Sequence, residues 1–288
     1  MFRKKERGIY KMISKDFRKQ ARVKLAGKWG KAILILVVYM LFNWLIGFIS
    51  GVLNNETFNS IISICQLLIN VPISYGLLNS FIKLFNDEGV SAFDFLSTGF
   101  NNFGRSWGIA LYTFLKLLLP MILMIIAIFM IFGGFIGSIL PLAQQHVDIA
   151  KTISTTGISS INSSVLSVSL IGFILLIISS ILMTTWSYYY KIANIVAIDD
   201  PDLTAKEAVN KSKEYMTGNR WKLFCLEFSF IGWSILAIFT LGIGYLWLIP
   251  YIQIAEIAFA RFVCGKNEEN TPIDNNTEES QTLNSENN

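Results

Sequence analysis

Six stretches of this chain are longer and more apolar than the core helices of a soluble domain. They cover about residues 32–53, 60–81, 107–138, 164–188, 221–240 and 245–263. A helix needs roughly 20 apolar residues to cross a hydrocarbon layer about 30 Å thick. In that layer backbone polar groups must be satisfied within the chain, and a helix does this alone. Of the 288 residues 53% are hydrophobic and 15% charged, against about 25% charged in a soluble domain. The pattern predicts an all-α polytopic membrane protein with six transmembrane helices. The third run is over-long, so it must tilt or project. Pro72 and Pro120 lie inside runs, where proline bends a helix.

Charge placement gives an orientation. Residues 1–31 hold twelve Lys/Arg against two acids, and the tail after Gly265 holds one Lys against six acids. Residues 1–31 read as the basic flank of a retained first helix, because no small-residue cleavage site follows the first run. The N-segment, the second and fourth links, the C-tail and the span ends that adjoin them (Lys222 and Arg261) carry 22 of the 24 basic residues; Lys151 is in the third link and Lys116 deep inside a span. Basic residues collect on the cytoplasmic side. The expectation is a multi-pass protein of the cell membrane with both termini cytoplasmic. Residues 264–288, rich in Asn, Glu and Thr, are expected to form a disordered acidic cytoplasmic tail.

The segments before the odd-numbered runs share a layout. They run from Ser14 to Gly27 then Trp29, from Ser91 to Gly104 then Trp107, and from Thr204 to Gly218 then Trp221. The Ser/Thr-to-Gly spacings are 13, 13 and 14, and the Gly-to-Trp spacings 2, 3 and 3. Ser or Thr at a helix start accepts a bond from a free backbone N–H. Thr204 and Glu207 fit a capping box, and Asp94 follows Ser91 as a shorter imitation. Glycine suits the left-handed position that ends a helix, and tryptophan suits the headgroup level. Between cap and glycine, apolar residues recur at helical spacing, with Lys15, Arg18, Lys19 and Arg22, or Lys206, Lys211 and Lys213, opposite. Such amphipathic helices lie in the membrane interface and are drawn to anionic lipid. The chain therefore reads as three hairpins of transmembrane helices, each preceded by an interfacial helix.

These residues resemble a Firmicute integral membrane family catalogued as domain of unknown function 975. The likeness rests on Leu25-Ala-Gly-Lys-Trp29 and, more strongly, on Ser212, Met216-Thr-Gly218, Ser229-Phe-Ile-Gly-Trp233, Thr240-Leu-Gly-Ile-Gly244 and Pro250-Tyr251. The first copy departs from the commoner Gly-Asn-Trp by carrying Lys28. The resemblance implies a Gram-positive cytoplasmic-membrane protein, and it implies no activity or catalytic residue.

Ionisable groups inside spans are costly and mark candidate sites. Lys116, Glu227 and Glu256 qualify. At 1.5 Å per residue they lie roughly 14, 9 and 8 Å from the cytoplasmic interface. Lys116 can snorkel toward that interface, which predicts pairing with Glu227 or Glu256. One reading is a polar cavity or ion path. The plainer, preferred reading is a salt bridge tying the second hairpin to the third, or snorkelling alone. His146 and Asp148 are too few ligands for a metal site. Asp199, Asp200 and Asp202 flank Pro201 and read as a turn. Cys65, Cys225 and Cys264 have no metal or disulfide spacing.

No nucleophile–base or metal set appears, so the sequence points away from an enzyme and calls for no cofactor. The N-segment abuts a span, so anionic lipid explains its charge better than nucleic acid does. The expected role is that of a scaffold, regulator or binding partner of another membrane protein. The alternative is a transporter or transporter accessory for a lipid-like or peptide substrate, including resistance to membrane-active peptides.

Overall fold

The computed structural model describes residues 12–53, 56–144 and 163–265. The start of the basic N-segment, the loop with His146, Asp148 and Lys151, and the acidic tail from Lys266 lie outside the described residues. Among the described residues the secondary structure is entirely helical, in eleven helices. They are α1 (Ser14–Leu25), α2 (Trp29–Leu53), α3 (Glu56–Phe85), α4 (Asp94–Asn101), α5 (Phe103–Gln144) and α6 (Ser163–Tyr190). Then follow α7 (Ala193–Asp199), α8 (Ala205–Met216), α9 (Arg220–Phe228), α10 (Ile231–Phe239) and α11 (Tyr245–Val263).

Six segments are long and apolar enough to cross a membrane: 29–52, 57–85, 103–134, 167–199, 220–239 and 245–263. The chain is a membrane protein with the three expected hairpins, α2/α3, α5/α6 and α9–α10/α11. Most spans reach beyond their apolar runs, because a helix continues into amphipathic sequence. The fourth run continues through a break at Lys191 into the short helix α7, where the sequence suggested only a turn. The fifth run is interrupted at Ser229–Phe230. There the Ser229 N–H is shared between the carbonyls of Cys225 and Leu226, both at 3.1 Å, and the Ser229 hydroxyl donates to Leu226 O at 2.6 Å. At the hairpin turn between α10 and α11, Gly242 takes φ 87°.

The core sits at one end of the bundle. It gathers the starts of α2, α5 and α9, the ends of α3, α6 and α11, and the short helices α1, α7 and α8. Phe17, Ala21 and Leu25 form the buried face of α1, and Phe17 meets Phe259 and Phe262 edge-on at 5.4 and 5.5 Å. On α11, Ala255, Ala258 and Ala260 are buried; small residues let helices approach where lipid offers no hydrophobic drive between them.

The second interfacial helix behaves differently from the other two. In the sequence, the apolar residues of this segment recur at helical spacing at Ala92, Leu96, Phe100 and Phe103. Phe95 and Gly99 are buried instead. The cause is a backbone contact with α3: a Cβ on Gly76 would stand 2.0 Å from Phe95 O, and one on Gly99 2.5 Å from Pro72 O.

Away from the core, the spans are largely uncovered. Trp44 and Phe48 on α2, Ile64 and Leu67 on α3, and Ile238 and Phe239 on α10 are all exposed. Phe239 is 80% exposed and Leu241, beside it, 94%.

Candidate functional site

The elbow before each odd span is built at the core end. In the third copy the cap is as the sequence implies. Thr204 Oγ1 accepts from the Glu207 N–H at 3.3 Å, and Glu207 accepts from the Thr204 N–H at 2.9 Å. Hydrogen bonds from Thr204 hold the Glu207 carboxyl below the usual carboxylate range. Gly218 has φ 82° and Gly27 φ 75°, the left-handed backbone that a side chain disfavours.

Three cassette assignments need correction. Ser14 is the first residue of α1 and Ile13 stands at the cap; the Ile13 N–H is satisfied by the Asp16 carboxylate at 2.9 Å. Ser91 is not the cap of α4, which begins after Phe93. Its hydroxyl reaches the Phe93 N–H only at 3.5 Å, while Asp94 accepts from the Ser91 N–H at 3.2 Å. Gly104 does not end a helix: α4 stops at Asn101, and Gly104 is the second residue of α5.

The three tryptophans have different surroundings. Trp29 is partly buried beside Tyr251, with ring centroids 6.2 Å apart. Trp107 donates its indole N–H to Leu68 O at 2.9 Å, so that N–H bonds protein. Trp221 is 72% exposed and stacks on Phe224 at 5.0 Å, which suits a lipid-facing anchor.

The intramembrane carboxylates do meet a cation, and it is Lys191. Its Nζ lies 3.1 Å from Glu227 Oε1 and 3.6 Å from Glu256 Oε1. Tyr188 donates its hydroxyl to Glu227 Oε2 at 2.6 Å. Lys116 is exposed on α5 between the exposed Leu115 and Leu119, and no ion pair joins it to either carboxylate. The expected pairing is therefore wrong in its lysine. The reason is lateral position: α9 packs mainly on α1, α6 and α11. Depth along the chain favours Lys116, while Lys191 lies just beyond the fourth apolar run, in the link that follows it. The apolar Tyr188-Tyr-Tyr run leading into Lys191 was the available signal that the helix carries it inward. The tie between the second and third hairpins remains, made by a different residue.

A second polar network lies nearby. Arg261 bonds Asn86 and pairs with Asp199 at 3.1 Å, over the Phe85 ring. Arg105 bonds the carbonyls of Ala197, Asp200 and Pro201, closing the end of α7. Asp199 thus joins a network rather than only a turn. Lys24 and Lys28 both pair with Asp87, linking α1 to the end of α3. Among the described residues no group of three His, Cys, Asp or Glu comes close enough to hold a metal ion.

A cavity of about 550 Å³ lies between the end of α6 and the start of α9. Tyr188 lines it and so joins it to the charge cluster.

A family model described as protein of unknown function (DUF975) matches residues 12–267. The chain belongs to that family. No curated protein and no solved structure matches it. The match takes in all three elbows and all six spans of this DUF975 protein.

Proposed function

We propose that this protein is a non-enzymatic scaffold or regulatory component of a bacterial cell membrane, acting by binding other membrane proteins. One observation carries the reading: packing is concentrated at one end, where Arg261 and Lys191 join elements of different hairpins, while the far halves of the spans keep large apolar side chains uncovered. A shared rigid base with open apolar faces suits lateral association within a bilayer. The basic residues cluster at the same base, which supports cytoplasmic termini by the positive-inside rule. The short helices α1 and α8 there present Lys and Arg toward anionic lipid.

The test is crosslinking in native membranes followed by purification of the tagged chain. Reproducible recovery of one transporter or synthase, lost when Phe239 is changed to Asn on the open face, supports the reading. Recovery of lipid alone overturns it.

One feature supports the alternative of a transporter or accessory for a lipid-like or peptide substrate: the Lys191–Glu227–Glu256 cluster adjoins a cavity. Under that reading, Glu227→Gln abolishes protection against membrane-active cationic peptides while the protein level is unchanged.

A further inference from the structure

The cavity between α6 and α9 carries its one charged side chain, Arg220, at one end, and its other walls mix apolar side chains with the hydroxyls of Ser180, Thr184 and Thr185. Gly218 and Arg220 lie toward the basic end of the bundle, at the start of the fifth span, and Tyr188 faces them from α6. Ile181 and Phe224 lie about one to two helical turns deeper at 5.4 Å per turn. Trp221, the exposed anchor of the third elbow, forms part of the wall.

Among the described residues, no carboxylate compensates the charge at the mouth. The Arg220 guanidinium stacks over the Tyr189 ring at 4.1 Å, and Lys213 stands 6.0 Å from the same ring. Neither side chain makes an ion pair or hydrogen bond among the described residues. Arg261, by contrast, is held by Asp199, and Lys191 by two carboxylates. A ring face steadies a cation without neutralising it. Arg220 thus keeps its donors for a ligand. The Thr184 and Thr185 hydroxyls, on the α6 wall, add polar groups. Glu227 does not line the cavity; its carboxylate is engaged by Tyr188 and Lys191.

We propose that this cavity is a binding site for one anionic phospholipid, with its phosphodiester on Arg220 and an acyl chain along Ile181, Trp221 and Phe224. Guanidinium binds phosphate through paired N–H donors, and the single cation at the span boundary, with Ile181 and Phe224 deeper, matches the order of headgroup and chain. The site is distinct from diffuse attraction of basic helices to a charged surface, because it requires one arginine and one apolar slot. It rests only on the chain lying in a membrane, not on the partner-binding reading, so absence of a protein partner leaves it standing.

The test is native mass spectrometry of the full chain in detergent, with dioleoyl phosphatidylglycerol and dioleoyl phosphatidylcholine as probes. Wild type retains the anionic lipid in preference to the zwitterionic one. Arg220→Gln weakens phosphatidylglycerol retention by about tenfold, the scale of one charge-assisted contact, and leaves phosphatidylcholine unchanged. Lys206→Gln, the same charge change on the exposed side of α8, leaves both unchanged. Ile181→Trp keeps the charge and fills the slot, and it also weakens phosphatidylglycerol retention; it serves if Arg220→Gln fails to fold. Soluble glycerol phosphate fails to displace the lipid. Wild-type retention by both Arg220→Gln and Ile181→Trp overturns the proposal. So does equal loss in Lys206→Gln, or full displacement by glycerol phosphate.

Discussion

The indole N–H of Trp107 donates to the carbonyl of Leu68 at 2.9 Å, and Leu68 is the residue four before Pro72. In an unbroken helix that carbonyl would accept from the amide of residue 72, which proline lacks. The tryptophan of one hairpin thus satisfies the acceptor that a proline frees in another. Trp107→Phe is expected to destabilise the protein by about 1 kcal/mol, the usual loss for an unmade hydrogen bond. In a Pro72→Ala background the same substitution costs clearly less, because an amide is restored. Thermal unfolding of the four proteins in one detergent checks the coupling.

Lys191 and Lys116 are separated by the same measurement. Removing Lys191 leaves Glu227 and Glu256 with no cation between them. Lys191→Met is expected to cost about 2 kcal/mol, reduced from the buried-pair range because the lysine is partly exposed; its side chain is 44% exposed. Adding Glu227→Gln recovers part of that loss. Lys116→Met stays within about 0.5 kcal/mol, as for an exposed position.

Two of the elbow glycines, Gly218 and Gly104, are expected to diverge. Gly218→Ala forces a side chain into φ 82° and should cost about 1 kcal/mol. Gly104→Ala sits within α5 with open space around the new methyl, and should stabilise by up to about 1 kcal/mol. Equal losses at both positions would restore the view of Gly104 as a helix stop. Gly76→Ala is more severe than either, because the added carbon collides with the Phe95 backbone.

The sequence made the helical class and the hairpins legible because apolar length is a one-dimensional property. Thr204 and Gly218 were legible for a similar reason, since caps and left-handed glycines act within a few residues. Ser91 and Gly104 misled because residue type and spacing alone do not fix where a helix starts or ends. The charge cluster was half legible. Depth follows from counting residues, but which helix faces which does not, and that decided between Lys116 and Lys191. Arg105 on the carbonyls at the end of α7 had no sequence signal, because the acceptors are backbone atoms.

Asp87 gives the pH prediction. It lies outside the spans, with φ 64°, a backbone that Asn and Asp tolerate better than most residues. Hydrogen bonds from Lys28 and then Lys24 hold its carboxyl below the usual range. A carboxyl whose pKa is lowered by folding contributes stability above its unfolded pKa, and that contribution fades as pH falls through the folded value. Asp87→Asn keeps the shape and the positive φ while removing the charge. At pH 7 it should lower stability by no more than about 0.5 kcal/mol, because the aspartate is exposed and the pairs are screened by solvent and salt. The difference from wild type should shrink below about pH 4, where the unfolded carboxylate protonates, and should also shrink in 1 M salt. Unfolding midpoints of both proteins between pH 3 and 7 measure it. A gap that stays constant down to pH 3 would show that the two lysines do not act through the charge of Asp87.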